Sequence, residues 1–504
     1  MDPITFDEIP FDRLEPGTFL EVRPKYRNIG LVPYPARALI VMHKLDGGTL
    51  AEGEVVQLTR RSDGAALAGS GSVGEEQVDA FLKANSKTPV YGVALGDADG
   101  AVKASGTVTF LGAVSASVVL RARIGNKQVR FTVLGSHDAA DMASAFAASV
   151  NAENLTVTAT AEAGVVTLTC RHGGELGNDI DIRMDVKAQL VPEGLTITIV
   201  GMSGGSGNPD IQDALDAIVG EWFTQIQMPW NDITNVDALA EELRIRYTAT
   251  KKLDVHGFIG KNGTFGELSA YGDLTNSPFL TLVGVNNTPT PPWIISAAAC
   301  GVATFHLTND PARQLRSLPV PDFEAPNKEY HFTEDEQDFL LRHGISTFDH
   351  LSDGTTVISR MITTYKVSNL NVVDRAWMDI MTPATMSRVR YDWAAYTSLL
   401  YPRAKLVGDE ETAAFLTKPS TGTTNEEDDQ SESNAIVTPR RMHASWAARC
   451  KLYGKKVWLQ DVERTVSQAR FEIDDSDDDR MNAVQPMKIA GNLMVLAGAL
   501  EFEV

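Results

Sequence analysis

Four continuous apolar runs constrain this chain more than any other feature: ARALIVM (36–42), VYGVAL (90–95), HGFIG (256–260) and FLTLVGV (279–285). None alternates polar with apolar. They read as strands buried on both faces. VVQLT (55–59), WFTQIQM (222–228) and TTVISRMITTYK (355–366) add further strands. Helical spacing appears between them, with Val78, Phe81 and Leu82 inside 75–84 and an Ala-rich helix over 293–306. Val236, Leu239, Leu243 and Tyr247 share one helical face behind a capping box at Thr234 and Asp237. Thr333 and Glu336 form a second capping box, with Gly344 at the C-terminal cap. Strand alternating with helix predicts a largely parallel sheet covered on both faces.

The rhythm breaks between 98 and 208. TVTFL, SVVLRAR, VRFTVL, LTVTAT, VVTLTC, DIDIRMD and LTITIV are short alternating runs separated by turn residues, with one helix near 138–150. This is the pattern of an antiparallel domain inserted into the α/β core. Its ends, GDADGA and GGSGNPD, are turn-rich. After 366 the chain mixes helices around 370–401 with an acidic stretch at 419–434 that lacks apolar residues. It closes on the strand-like LMVLAGALEFEV (493–504). At the other end, Pro3, Pro10, Pro16 and Pro24 interrupt any helix, yet Ile4, Phe6, Ile9, Phe11, Phe19, Leu20 and Val22 are apolar. A pure linker is not this apolar, so the segment reads as an extended arm that docks on something. The fold class is an α/β core with a mixed, largely parallel sheet, an inserted β-rich domain, an α+β C-terminal domain and extended terminal arms. The boundaries read as 1–30 for the arm, 31–97 and 209–366 for the core, 98–208 for the insert and 367–504 for the C-terminal domain, which ends in a strand arm at 493–504.

The net charge of −21 opposes nucleic-acid binding. No run reaches the ~18 apolar residues of a membrane helix. The N-terminus, MDPITFDEIP, does not look like a secretion signal. Cys170, Cys300 and Cys450 are far apart in sequence, which argues against a disulfide framework or a cysteine-rich zinc site.

Enzyme motifs are weak. Gly69, Gly71 and Gly74 have the spacing of a dinucleotide fingerprint, with Asp97 downstream. Gly69 stands ten positions after the end of the preceding strand at Thr59, however, whereas the fingerprint turns directly off it. A flexible loop is the expectation, and a cytoplasmic dinucleotide-binding α/β enzyme using the Gly69–Gly74 loop is the alternative function. Gly260-Lys261-Asn262 lacks the hydroxyl and first glycine of a P-loop. No GxSxG or HExxH occurs, and the histidines are scattered. Asp474, Ser476 and Asp478 start like a calcium loop but lack its glycine and final glutamate, so a solvated acidic turn is expected. No catalytic, cofactor-binding or metal residue is assigned.

One segment does stand out. From Thr438 to Lys456 there are six basic residues and no acidic one, between acidic flanks. Thr438 fits an N-cap, Pro439 the first turn and Gly454 the end. Met442, Trp446, Cys450 and Tyr453 cluster on one side, and Arg440, Arg441, Arg449 and Lys451 are read onto the other, with Leu452 an exception. An acid-free basic helix in so acidic a chain suggests docking onto an acidic partner.

ITFDEIPFDRLEPGTFLEV at the start, DPARQLRSLPVPDFEAP (310–326), FTEDEQDFLLRHGISTF (332–348), ITTY (362–365) and the ending together resemble the contractile tail sheath proteins of Mu-like bacteriophages. The resemblance covers nearly the whole chain and is weakest in the insert. It implies a non-enzymatic virion protein without cofactors, assembled in the host cytoplasm. Such a subunit polymerises as stacked six-membered rings around the tail tube and contracts to drive the tube through the bacterial envelope. Baseplate and tail terminator proteins are implied partners, with no nucleic acid and no membrane insertion. The conserved core of such sheaths is sometimes called subtilisin-like. His256-Gly257 faintly echoes a protease motif, but no serine motif follows. In this reading Arg440, Arg441, Arg449, Lys451, Lys455 and Lys456 contact the tube, and the insert faces outward. Ile4, Phe6, Ile9, Phe11, Phe19, Val22, Leu493, Val495, Leu500 and Phe502 lie in inter-subunit arms that add strands to a neighbour's sheet.

Overall fold

A computed structural model describes residues 30–185, 191–410 and 436–501. The described residues fall into two compact units, one within Tyr34–Arg390, Val457–Gln460 and Met487–Val504, the other within Met1–Pro33, Tyr391–Lys456 and Asp461–Pro486. The division falls at Arg390/Tyr391, inside the helix Met381–Leu400 and later than the boundary expected after residue 366.

In the larger unit the strands run, in chain order, β1 (Ala38–His43), β2 (Val55–Leu58), β3 (Val90–Leu95), β4 (Lys103–Gly112), β5 (Val118–Ile124), β6 (Lys127–Val133), β7 (Val157–Glu162), β8 (Val165–Gly173), β9 (Ile182–Met184), β10 (Leu195–Ser203), β11 (Gln225–Gln227), β12 (His256–Asn262), β13 (Leu280–Val285), β14 (Ile345–His350) and β15 (Thr356–Arg360). Eight of them form a mixed sheet in the order β15-β14-β13-β12-β11-β1-β3-β2. The six from β14 to β3 are parallel, and β15 and β2 are antiparallel edges. Every residue of β1 and β13 is buried, as continuous apolar runs between two helical layers require. The helix Pro292–Asn309 lies on the sheet, so Trp293, Ile295 and Ala298 are fully enclosed.

Several boundaries differ from the sequence reading. The strand expected over 355–366 ends at Arg360. The helix Ile233–Arg246 is capped by Asp232, whose carboxylate accepts from the Asn235 amide at 3.1 Å, rather than by Thr234. The Thr333–Glu336 capping box is present, and Gly344 has φ +79°.

Residues 103–203 build two further antiparallel sheets, β10-β4-β8-β7 and β6-β5-β9. The helix Ala139–Ala152 packs between them through Phe146, whose ring lies 5.8 Å from Phe110 and 4.8 Å from Phe131. These sheets are docked on the eight-stranded sheet's surroundings by charged contacts. Arg123 and Arg183 both reach Glu324, at 2.5 and 3.1 Å, and Lys127 lies 3.6 Å from the buried Glu76.

In the smaller unit the helix Pro439–Lys455 packs beside the Tyr391–Leu400 turns of Met381–Leu400, with Trp393 edge-on to Trp446 at 5.1 Å. The hairpin Arg470–Asp474/Asp477–Val484 follows. At its turn the Asp474 carboxylate accepts from the Ser476 amide, the Ser476 hydroxyl and the Asn482 side chain, so it serves the turn itself.

Candidate interaction surfaces

The basic helix begins as its sequence predicts. Thr438 Oγ1 accepts from the Arg441 amide at 3.2 Å, and Pro439 occupies the first turn, where a missing amide costs nothing. Gly454 is the penultimate residue rather than the stop. Ser445, Trp446, Cys450 and Tyr453 are buried, and so is Arg449. This corrects the placement of Arg449 on the outward basic face. It stands three residues after Trp446 and seven after Met442, spacings that return to the apolar side. Its burial is tolerated because Asp392 is also buried and pairs with it, Nη2 to Oδ2 at 2.5 Å and Nε to Oδ2 at 3.0 Å. Tyr453 donates its hydroxyl to the same carboxylate at 2.6 Å, and the Tyr396 ring lies 4.6 Å from the guanidinium.

The outward stripe consists of Arg440, Ala444, Ala448, Lys451 and Lys455, steps of four, four, three and four residues, with exposed Lys456 just beyond. Arg441 is half-buried, donating to the Ile436 carbonyl at 2.8 Å and lying 5.5 Å from the Tyr401 ring centroid. Cations therefore sit at both ends of the stripe with two alanines between them. Charge counting along the sequence misses the alanines and misses Asp392, which stands far back in the chain.

Within one chain, no strand among the described residues follows Lys488–Ile489; the strand expected of 493–504 is one added to a neighbouring subunit. Asn492 and Leu493 are tied to the 312–314 turn, Asn492 Nδ2 donating to the Ala312 carbonyl at 2.8 Å and Gln314 Nε2 to the Leu493 carbonyl at 3.1 Å. Beyond Met494, Val495, Leu496 and Leu500 are 78%, 86% and 102% exposed. Ile4, Phe6, Ile9, Phe11, Phe19, Val22 and Phe502 lie outside the described residues, as does the acidic stretch 419–434.

The glycine turn is packed rather than flexible. Gly69 and Gly71 have φ +95° and +75°, and a Cβ on Gly71 would stand 2.6 Å from the Leu155 carbonyl oxygen. Gly71→Ala should therefore cost about 1–3 kcal/mol, read by chemical denaturation. The turn opens the helix Val73–Ala84, but the amides there already have partners. Ser72 Oγ takes Glu75, Glu75 Oε2 takes Gly71, and His172 Nε2 takes Val73 at 3.0 Å. A pyrophosphate would have to displace them.

His172 belongs to a cluster with His43 and Asp97 in which both imidazoles are buried and the carboxylate is exposed. His43 ends β1, Asp97 follows β3, and β11 continues into Trp230, whose ring lies 5.2 Å from His43. The strand order reverses between β1 and β11, and open α/β sheets bind ligands outside the carboxyl ends of their strands at such a reversal. Here β8 fills that place: the His43 and His172 ring centroids lie 4.0 Å apart with the planes tilted by 33°, and the Gly173 amide donates to Asp97 Oδ2 at 2.8 Å. His43 Nε2 lies 2.9 Å from Asp97 Oδ1 in a bent contact, and His172 Nδ1 lies 3.5 Å away. Burial and the neighbouring His43 push His172 down to about 3, and burial also lowers His43. Burial alone would raise Asp97, but the two histidines and the Gly173 amide outweigh it and hold the carboxyl well below its usual range. The three residues have metal-ligating chemistry. Yet the Val73 N–H occupies the Nε2 lone pair of His172, so the ring proton sits on Nδ1, facing Asp97. A metal on Nδ1 would force that proton onto Nε2, against the amide. The cluster reads as a polar seal between the sheet and residues 103–203.

Residues 204–364 match the family model described as the phage tail sheath protein central domain. Over 506 aligned residues, covering 99% of each chain, the protein is 27% identical to the Mu-like prophage FluMu tail sheath protein of Haemophilus influenzae. Among solved structures it is similar to the sheath tail protein from Listeria innocua, at 11% identity over 91% of this chain and 92% of that one, TM-score 0.47. It is similar also to a chain of the anti-feeding prophage baseplate, at 11% identity over 97% and 99%, TM-score 0.47. The resemblance read from the sequence thus has a curated relative along the whole chain and a matching central domain.

Proposed function

We propose that this chain is the structural subunit of a phage contractile tail sheath, stacking in six-membered rings around the tail tube and contracting to drive the tube through the bacterial envelope. The observation that carries this is the end-to-end alignment with a Mu-like prophage tail sheath protein. In this reading residues 31–97 and 209–366 are the sheath core and 98–208 face outward. Residues 367–504 line the inside, and 1–30 and 493–504 link subunits. The partners are further copies, the tube, the baseplate and the tail terminator, and the product is a virion component built in the host cytoplasm. The role is non-enzymatic. Two observations support it against the dinucleotide-enzyme alternative: the glycine turn is packed, and β8 fills the place where a doubly wound sheet holds ligands. Among the described residues no helix is long and apolar enough to cross a membrane. Electron microscopy of the expressed protein tests the reading. Striated tubes support it; discrete particles with nucleotide-dependent thermal stabilisation overturn it.

The tube contact narrows to Arg440, Lys451, Lys455 and Lys456, which are exposed. Exposed ion pairs are worth about 0–1 kcal/mol each, so repetition in every subunit has to hold the extended state while letting the tube slip on contraction. Replacing these four with Glu should leave polymerisation intact and yield tubeless or prematurely contracted sheaths. Raised salt should mimic a weakened contact. Extended, tube-filled tails at the parent's frequency would remove the stripe from the tube-binding surface.

A further inference from the structure

The buried Arg449–Asp392 pair does more than neutralise itself. Arg449 Nη1 donates to the Gly30 carbonyl at 3.0 Å, and the Val32 amide donates to Asp392 Oδ1 at 2.8 Å. Gly30 is the first described residue, and the segment read as a linking arm lies immediately before it. Both charged groups are almost wholly buried, at 1% and 0% exposure, and each reaches the arm's root as well as its partner. Tyr453 holds the second carboxylate oxygen, so Asp392 has one fixed orientation. Arg449 and Tyr453 belong to the helix whose opposite side carries the basic stripe.

We propose that Arg449 and Asp392 are positioning residues that clamp the root of the N-terminal arm to the basic helix, so that tension on the arm is delivered to the tube-facing element. The inference rests on the sheath reading for the role of the arm, and on the geometry alone for the clamp. Guanidinium suits the task. Its planar fork grips the carboxylate in two places and still has an N–H for a backbone carbonyl, which one ammonium cannot do in the same geometry. The clamp would fix the direction in which the chain before Gly30 leaves the fold, at the helix proposed to read the tube.

Two variants of the full chain separate the clamp from simple core stability. Arg449→Lys keeps a charge opposite Asp392 but gives up the Gly30 bond. Val32→Pro keeps both members of the buried pair and removes the amide donor to Asp392, while also fixing φ at about −65°. Hydrogen exchange of the isolated chain should show the amides at 30–32 that remain exchanging at least tenfold faster in both variants, with the protection of the Trp446 region retained in Val32→Pro. Tubes formed by either variant should be several-fold shorter than the parent's at equal concentration. Unchanged exchange at the root in both variants would overturn the clamp. Faster exchange with tubes of parental length would overturn its load-bearing role. A parent chain that forms no tubes would instead overturn the sheath reading and the load-bearing role with it, while the exchange data still decide the clamp.

Discussion

Removal of residues 495–504 is expected to leave the isolated subunit's melting temperature within about 1–2 °C of the parent and to abolish polymerisation. The first half follows from exposure: Val495, Leu496 and Leu500 are at least 78% exposed, and the last backbone anchors among the described residues, at 492–494, are kept. Losing side chains this exposed changes stability by about 0.5 kcal/mol or less. The second half follows from the same numbers. Covering a Val or Leu side chain is worth about 1.5–3 kcal/mol, so three of them on a neighbour would supply a link of several kcal/mol per subunit of the proposed sheath. Backbone pairing with a neighbouring sheet would then give the segment the partner strand it lacks in one chain. Thermal melts, size-exclusion chromatography and negative-stain microscopy of the truncated chain read both halves. Normal tubes would defeat the linking role; a collapsed melting temperature would mean the segment belongs to the subunit's own core.

What was legible in the sequence depended on how local the deciding contact is. The runs at 36–42 and 279–285 become β1 and β13 because burial on both faces leaves its mark on every residue of the strand. The Thr333–Glu336 capping box could be read because both bonds close within one turn. The Thr234 cap fails against Asp232, whose Oδ1 also takes Asn208 and the Asn235 side chain, and Asn208 lies too far back for a local pattern to show. Gly71 looked flexible because Leu155, which packs against it, is distant in sequence. Arg449 was misplaced for a related reason. Its helical position was available from spacing, but an arginine on an apolar face makes sense only once Asp392 is known to wait there. The tail at 493–501 reads as apolar and strand-like, and it stays unpaired in one chain because a strand needs a partner that a single chain does not provide.

Acid should destabilise the isolated subunit through its buried histidines, although burial pushes Asp179 up to about 6 and that carboxyl works in the opposite direction between 6 and 3.8. His172 and His256 are buried and held neutral, each pushed down from 6.5 to about 3; burial is the leading cause for both, with His43 adding to it at His172. His256 keeps one bond, at 2.8 Å to the Thr281 hydroxyl. In the unfolded chain both take up a proton as pH falls through about 6.5, while the folded chain stays unprotonated until about 3. The unfolded state therefore binds more protons throughout that window, and stability falls as pH falls. Each histidine contributes about 1.4 kcal/mol per pH unit at full slope. Between pH 6 and 4 the pair removes on the order of 5 kcal/mol, comparable with the whole stability of an ordinary domain. Asp97, held below its usual 3.8, loses its contribution only below that value and acts in the same direction. Denaturant titrations at half-unit pH steps should show the free energy of unfolding dropping across this range. In a His172→Gln variant the side-chain oxygen can still accept from Val73, so the titrating group is removed while the amide keeps an acceptor. Its slope should be shallower by about 1.4 kcal/mol per pH unit, whatever its stability at pH 7. An unchanged slope in that variant would mean His172 is already protonated in the folded chain, which would also require the Val73 amide to have another acceptor and would undo the seal between β8 and the ends of β1 and β3.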